Sequence, residues 1–74
     1  MEESVLIKFG RRVKELRIER NLTQQQLADI SGLHKNYIGM VERGERNPSL
    51  VNIDILAKSL GVGIAALFSL LNEM

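Results

Sequence analysis

Apolar residues recur through the first part of the chain at the spacing of an α-helix. Steps of three, four and three positions place four of them on one helical stripe: Leu6, Phe9, Val13 and Leu16. This spacing predicts a first helix over about residues 3–20. Since no segment alternates Val, Ile or Thr with polar residues, we expect no strands and an all-α fold.

Capping and turn residues mark the next two helices. Thr23 and Gln26 form the Thr-x-x-Gln pattern of a capping box, so a second helix should begin just after Thr23. It should end at Gly32, because glycine adopts a left-handed turn at little cost. A third helix is expected over about residues 34–43, before Gly44.

Proline and glycine separate two further helices. The segment Asn47-Pro48-Ser49 combines a residue that avoids helix before proline with a good N-cap. The fourth helix is expected over about residues 50–60 and the fifth, after a Gly-Val-Gly break, over about residues 64–71. The inner face of the fourth should consist of Leu50, Ile53, Leu56, Ala57 and Leu60.

The spacing of small and apolar residues over about residues 24–42 is typical of a helix-turn-helix. Ala28 provides the small side chain needed where two short helices cross, and Gly32 provides the turn. The apolar wedge between the helices is expected to be Leu27, Leu33, Ile38 and Val41. Such a pair usually presents its second helix to the major groove of DNA. The alternative is an ordinary helical hairpin in a small bundle.

Size and composition narrow the range of functions. With 74 residues, the chain is expected to form a single domain over residues 1–74. With no cysteine and one histidine, we expect neither a metal nor another cofactor. No paired carboxylates or nucleophile–base set stand out, so neither an enzyme nor a small-molecule ligand is expected. Without a membrane-length apolar run or a signal-peptide pattern, we expect no membrane partner and a cytoplasmic location.

Basic residues are concentrated around the predicted helix-turn-helix, although the net charge is only +1. Residues 1–47 carry nine Lys or Arg and seven Asp or Glu, whereas residues 48–74 carry one Lys and two acidic residues. Because phosphate binding depends on local charge, this distribution favours a nucleic-acid partner over a merely solvated face. On the first helix, Arg11 and Arg12 are candidate phosphate contacts.

The exposed face of the third helix holds the candidates for reading bases. Ile38 and Val41 must face inward, which turns Lys35 and Asn36 outward. In the major groove, lysine can donate to guanine and asparagine can pair with adenine. Tyr37 could reach a base through its hydroxyl while its ring packs against the protein, with a purely structural role as the alternative.

Polar residues around the second and third helices are candidates for phosphate contacts. Gln24 lies at the start of the second helix, where unpaired N–H groups and the helix dipole attract an anion. Thr23 should mainly cap this helix, His34 should face solvent or phosphate, and Asn47 should bond a phosphate or form a turn. Gly39 is expected to be exposed and to let DNA approach the third helix closely.

The C-terminal third has more apolar side chains than one core can bury. A surplus of apolar surface usually marks an interface. A two-fold dimer through the helices of about residues 50–71 would separate two recognition helices by about 34 Å. A loosely covered monomer is the alternative. The candidate interface residues are Val51, Ile55, Ile64, Leu67, Phe68 and Leu70, of which Ile64, Leu67 and Phe68 also belong to the expected inner face of the fifth helix.

Short motifs in a fixed order extend over most of the chain. They are T-Q-x-x-L-A, G-L at the turn, Y-I-x-x-V-E-R-G, N-P-S-L and L-A-x-x-L-G-V. With this order and five helices, the chain resembles the lambda-type repressor and Cro family of XRE-like helix-turn-helix regulators over about residues 6–71. Within that family it is most similar to the controller proteins of restriction–modification systems.

The resemblance implies roles for further residues. Arg17 on the first helix would form a structural ion pair with Glu42 at the end of the third. Arg43 would approach the DNA backbone, and Arg46 would also reach bases. Gly63 stands where relatives often place a capping serine or aspartate, so the fifth helix should begin less firmly.

The resemblance also implies a function. It suggests a sequence-specific transcriptional regulator that binds double-stranded DNA as a homodimer on a palindrome-like operator. A controller would activate its own gene and an endonuclease gene at low concentration and repress at high concentration, with RNA polymerase as a further partner. The alternatives are a phage-type or antitoxin-type autorepressor and, outside DNA binding, a protein-interaction module whose basic face contacts an acidic partner.

Overall fold

Five α-helices form the regular structure of residues 4–69, the part of the chain that the computed structural model describes. They are α1 (Val5–Glu19), α2 (Gln24–Ser31), α3 (Lys35–Glu42), α4 (Leu50–Ser59) and α5 (Ile64–Leu67). These described residues contain no strand. The predicted all-α, five-helix order is therefore confirmed. None of the helices between residues 4 and 69 is long and apolar enough to cross a bilayer.

The predicted helix ends are present with their capping interactions. The Thr23 hydroxyl accepts from the Gln26 N–H at 3.0 Å, and the Gln26 side chain accepts from the Thr23 N–H at 2.8 Å. Gly32 ends α2 in the left-handed conformation, with φ of 76°. The Ser49 hydroxyl caps α4 through the Asn52 N–H. Local sequence thus specifies where these helices begin and end.

The fifth helix is shorter than predicted. It ends at Leu67, and Phe68 is already its C-cap. Gly63 precedes it and provides no side-chain cap, as expected from a residue without a polar side chain. The predicted continuation through residues 70 and 71 lies outside the described residues.

One apolar core joins all five helices. α1 packs against α3 and α5, and α2 packs against α3 and α4. The buried residues are Phe9, Val13, Leu16, Leu27, Ala28, Ile38, Val41, Leu56, Ala57, Leu60 and Leu67. The prediction that Leu50 belongs to this core is wrong. It is 72% exposed because it occupies the first position of α4, at the edge of the core.

Two glycines allow α1 to lie directly against the third helix and the turn that follows it. A Cβ at Gly10 would overlap the Val41 carbonyl oxygen and lie 2.7 Å from the Glu42 carbonyl oxygen. A Cβ at Gly44 would lie 2.6 Å from Ile7 Cγ1. Both positions therefore have no room for a side chain. This close contact fixes the orientation of α3 relative to α1.

Candidate nucleic-acid interface

The third helix has one buried face and one exposed face. Ile38 and Val41 are fully buried against the core, as the helix-turn-helix pattern predicts. Lys35 and Asn36 are exposed on its first turn, and His34 is exposed just before it. His34 is the N-cap residue but makes no side-chain capping hydrogen bond. Lys35 and Asn36, two of the side chains predicted to read bases, thus lie on solvent-facing surface.

A shallow groove of about 290 Å³ runs along this exposed face. It brings together residues from the start of α2 and from the whole length of α3: Gln24, Lys35, Asn36, Gly39, Met40 and Arg43. We call this set the recognition surface. It combines cationic and amide donors on one helix face, which suits contacts with base edges and phosphates.

The prediction that Gly39 is exposed is wrong. Gly39 is buried, because the side chains of Gln24 and Arg43 cover it. A Cβ at this position would lie 3.1 Å from Arg43 Nη1 and 3.6 Å from the Gln24 amide. Glycine therefore leaves space for these two side chains to lie across α3.

Gln24 connects the recognition surface to a buried ion pair. Its Nε2 donates to Glu42 Oε1 at 3.1 Å, so part of the amide is bonded within the protein. The predicted phosphate contact would use the remaining Nε2 hydrogen or the backbone N–H groups at the start of α2. Thr23 uses its hydroxyl as the cap of α2, which is the role that the sequence favours.

The predicted pair between Arg17 and Glu42 is present. Arg17 Nε donates to Glu42 Oε2 at 2.6 Å, and Arg17 Nη2 donates to Glu42 Oε1 at 3.1 Å. Arg17 Nη1 also donates to the Leu22 carbonyl at 2.7 Å. Both side chains are buried, so this two-point contact attaches the end of α3 to α1.

Tyr37, on the first turn of α3, contacts both α4 and the loop that joins the two helices. Its hydroxyl accepts from Asn52 Nδ2 at 3.1 Å. The guanidinium of Arg46 lies over its ring, with Cζ 5.7 Å from the ring centroid. The ring is half-buried, so packing against the protein, the structural part of the prediction, is present. Base contacts by Tyr37 and Arg46 stay predictions.

The C-terminal end of α3 carries an exposed ion pair. Arg43 Nε donates to Glu45 Oε2 at 2.9 Å, and Arg43 Nη2 donates to Glu45 Oε1 at 3.1 Å. The hydrogen bond from Arg43 and its charge lower the pKa of the Glu45 carboxyl. The same hydrogen bond and the negative charge of Glu45 raise the pKa of Arg43. Asn47 is exposed in the following loop.

The basic residues of α1 act within the protein more than the charge pattern suggests. Arg12 Nε donates to the Ala66 carbonyl at 2.9 Å, and Arg20 Nε donates to the Leu60 carbonyl. Arg12 Nη1 also donates to Glu15 Oε1 at 3.2 Å, so part of this guanidinium is bonded within the protein, where it holds α5 against α1. The predicted phosphate contact of Arg12 stays a prediction. Arg11 is exposed and its predicted phosphate contact stays a prediction.

The predicted dimer surface is only partly available. Val51 is 68% exposed, Ile64 is 37% exposed and Ile55 is half-buried. Leu67 is fully buried in the core, so its prediction as an interface residue is wrong. Phe68 packs its ring 5.4 Å from that of Phe9, which leaves only part of it accessible. The predicted interface residue at position 70 lies outside the described residues.

Two residues that contact predicted site residues were missed by sequence reasoning. Asn52 contacts Tyr37 across 15 positions, which no local pattern indicates. Glu45 contacts Arg43 at a spacing of two, at which residues of a continuous helix do not face each other. The left-handed conformation of Gly44 brings them together, and this glycine was the one available signal. Within residues 4–69, no group of three His, Asp or Glu side chains is arranged to hold a metal ion.

Comparison with known proteins gives consistent matches. The family model described as helix-turn-helix matches residues 13–67. The chain is 51% identical over 57 residues to the control protein C.SmaI of Serratia marcescens. The aligned region covers 77% of this chain and 68% of that protein.

Solved structures also match most of the chain. The restriction-modification controller protein C.AhdI from Aeromonas hydrophila has a TM-score of 0.84 and 52% identity, covering 85% of this chain and 96% of that one. The tetramer of the restriction-modification controller protein C.Esp1396I, solved with its natural 35 base-pair operator, has a TM-score of 0.86 and 32% identity. That match covers 97% of this chain and 95% of the other.

Proposed function

This chain belongs to the helix-turn-helix family and is a DNA-binding transcriptional regulator, and we propose that it binds a palindrome-like operator as a homodimer. The observation that carries the proposal is the recognition surface. Lys35 and Asn36 are exposed on the first turn of α3. In our proposal these two side chains read base edges in the major groove.

Phosphate contacts are assigned to the residues that surround α3. Gln24 and Thr23 lie at the start of α2, and His34 and Arg43 lie at the two ends of α3. Asn47 follows in the next loop. In our proposal they set the position of α3 on the duplex, because phosphate contacts fix register without carrying sequence information. Arg46, held over Tyr37, is assigned to a base beyond the end of α3.

The homodimer is proposed from exposed apolar surface. Val51 and Ile64 expose apolar side chains on α4 and α5, and Ile55 is half-buried on α4. A two-fold pairing of these surfaces would cover them and present two copies of α3 to successive major grooves, about 34 Å apart. The C.Esp1396I tetramer bound to its operator supports self-association on DNA.

The biological role that we propose is control of a restriction–modification system. The likeness to C.SmaI and C.AhdI supports it, because both are controller proteins. In this role the protein would activate its own gene and the endonuclease gene at low concentration and repress them at high concentration. A reporter joined to the DNA upstream of its own gene should therefore rise and then fall as the protein is expressed at increasing levels. A reporter that only falls would identify an autorepressor.

Selection of duplexes from a random pool tests DNA recognition directly. We expect an enriched sequence with two-fold symmetry, bound with an affinity that falls steeply with salt because bound phosphates release counterions. Sedimentation of the free protein and of the complex gives the number of protomers in each. An absence of enrichment together with binding insensitive to salt would favour a protein-interaction module.

A further inference from the structure

The exposed pair at the end of α3 joins two side chains that are equally accessible. The side chains of Arg43 and Glu45 are 58% and 53% exposed. An exposed pair of this kind contributes little to folding because solvent screens it. Yet the carboxylate binds the guanidinium through two parallel hydrogen bonds, which is also how a guanidinium binds phosphate. The pair is therefore more significant for binding than for stability.

The backbone after α3 holds Glu45 in this position. The Gly44 N–H donates to the Val41 carbonyl at 3.0 Å, and the Glu45 N–H donates to the Met40 carbonyl at 2.8 Å. With Gly44 at φ of 76°, these bonds form a Schellman motif. The motif turns the chain back toward the last turn of α3. The backbone of Glu45 is thus placed by these bonds and does not depend on Arg43 for its location.

The guanidinium that Glu45 binds belongs to the recognition surface. Arg43 lines the groove along α3, and its Nη1 lies over Gly39. Its Nε and Nη2 are both directed to Glu45. A DNA phosphate that approached Arg43 would therefore have to replace the carboxylate or share the guanidinium with it.

We propose that Glu45 is an internal competitor for DNA phosphate, which occupies Arg43 in the free protein and lowers the affinity of the recognition surface for any duplex. The inference rests on the proposed function, since it concerns how this surface binds DNA. Phosphate contacts carry no sequence information, so Glu45 lowers the affinity for selected and unrelated sequences by a similar factor. It thereby sets the protein concentration at which DNA becomes occupied.

The substitution Glu45→Gln tests this proposal because it keeps the size of the side chain and removes its charge. Glu19→Gln is the matched control, since it makes the same change of net charge at an exposed carboxylate of α1 that does not line the recognition surface. The probes are the duplex selected from a random pool and a duplex of the same composition with its sequence shuffled. Both are titrated over a range of salt concentrations.

Relative to Glu19→Gln, Glu45→Gln should raise the affinity for both duplexes by up to about fivefold per protomer. This factor is the one expected when the competition from one exposed ion pair is removed. The salt dependence should become steeper by about one released counterion per protomer. Arg43→Gln should change both quantities in the opposite direction.

Three outcomes would overturn the proposal while leaving the proposed function intact. Equal DNA affinities of Glu45→Gln and Glu19→Gln would show that Glu45 affects binding only through the net charge of the protein. A loss of affinity in Glu45→Gln would make it a residue that positions Arg43 for DNA. A gain confined to the selected duplex would assign it to base recognition. Failure of the unmodified protein to bind either duplex would instead overturn both proposals.

Discussion

Arg17 and Glu42 join the first helix to the end of the recognition helix through two hydrogen bonds, of 2.6 and 3.1 Å, between buried side chains. Gln24 donates to the same carboxylate from the start of α2. Three helices therefore meet at one buried negative charge. The position of α3 depends on this arrangement as well as on apolar packing.

Removal of the cation from this site should destabilise the fold. Arg17→Met keeps much of the apolar stem but leaves Glu42 buried without its charged partner, and a loss of about 3–5 kcal/mol in the free energy of unfolding is expected. Arg43→Met breaks a solvent-exposed pair of the same two residue types and should cost much less, because solvent screens it. Urea denaturation of both variants measures the difference. Similar losses in both would show that burial of the Arg17 pair carries no special weight.

Base recognition should depend on the first turn of α3. Lys35→Ala or Asn36→Ala should cost about 1–3 kcal/mol of binding free energy at a selected site and relax the preference at particular base pairs. Lys58→Ala removes an equal charge from α4 and should leave the selected sequence unchanged. Repeated selection from random DNA with each variant provides the measurement. An unaltered preference in both α3 variants would contradict the assignment of Lys35 and Asn36 as base readers.

Self-association should be sensitive to the exposed apolar side chains of α4. Val51→Glu should give a folded monomer, because a charge in an interface loses its hydration without gaining a partner. Ile18→Glu is the matched control, since Ile18 is 53% exposed on α1, outside the proposed interface. Sedimentation and circular dichroism of the two variants separate assembly from folding. A Val51→Glu protein that stays dimeric would exclude this part of α4 from the interface.

Two glycines with nearly the same backbone conformation should respond differently to alanine. Gly61 has φ of 72°, and a Cβ added there would meet nothing within 4 Å, so Gly61→Ala should cost only about 1–2 kcal/mol for the left-handed conformation. Gly44 has φ of 76°, but its added Cβ would lie 2.6 Å from Ile7 Cγ1 and 2.8 Å from Ile7 Cα. Gly44→Ala should therefore destabilise the protein more, as thermal unfolding can measure. Equal losses of stability in the two variants would mean that α1 can move away from the loop at Gly44 without a measurable loss of packing energy.

The Arg43 pair should also have a pH signature. The pKa of Glu45 is lowered from its ordinary value of 4.5, mainly by the hydrogen bond from Arg43. The ion pair's small contribution to the free energy of unfolding is therefore present above pH 4.5. It is lost as the pH falls through the lowered pKa of Glu45 and the carboxylate becomes protonated. An NMR titration of the Glu45 carboxyl should show the low pKa in the unmodified protein and a higher value in Arg43→Gln. The same pKa in both proteins would show that the pair does not form in solution.

The helices and the helix-turn-helix were predictable because their signals are local. The Thr23 capping box, the left-handed Gly32 and the three- and four-residue steps of α1 each depend on residues within one or two helical turns of each other. Intrinsic backbone preferences and helical periodicity therefore determine these helices and turns independently of the tertiary contacts that each helix makes. The Arg17–Glu42 pair followed from resemblance to a family, since no periodicity links residues 25 positions apart.

The roles of individual side chains in the site were decided by tertiary structure. Arg12, a candidate for phosphate contact by its charge, also joins α5 to α1, because the Ala66 carbonyl, 54 positions away, lies 2.9 Å from its Nε. Gly39 lies on the outward face of α3 by its periodicity, yet Gln24 and Arg43 cover it. Leu67 was predicted both for the inner face of the fifth helix and for the interface, and its full burial in the packed core agrees with the inner face alone. In each case a residue distant in sequence supplies the neighbour, and burial and pairing depend on such neighbours once the helices have packed.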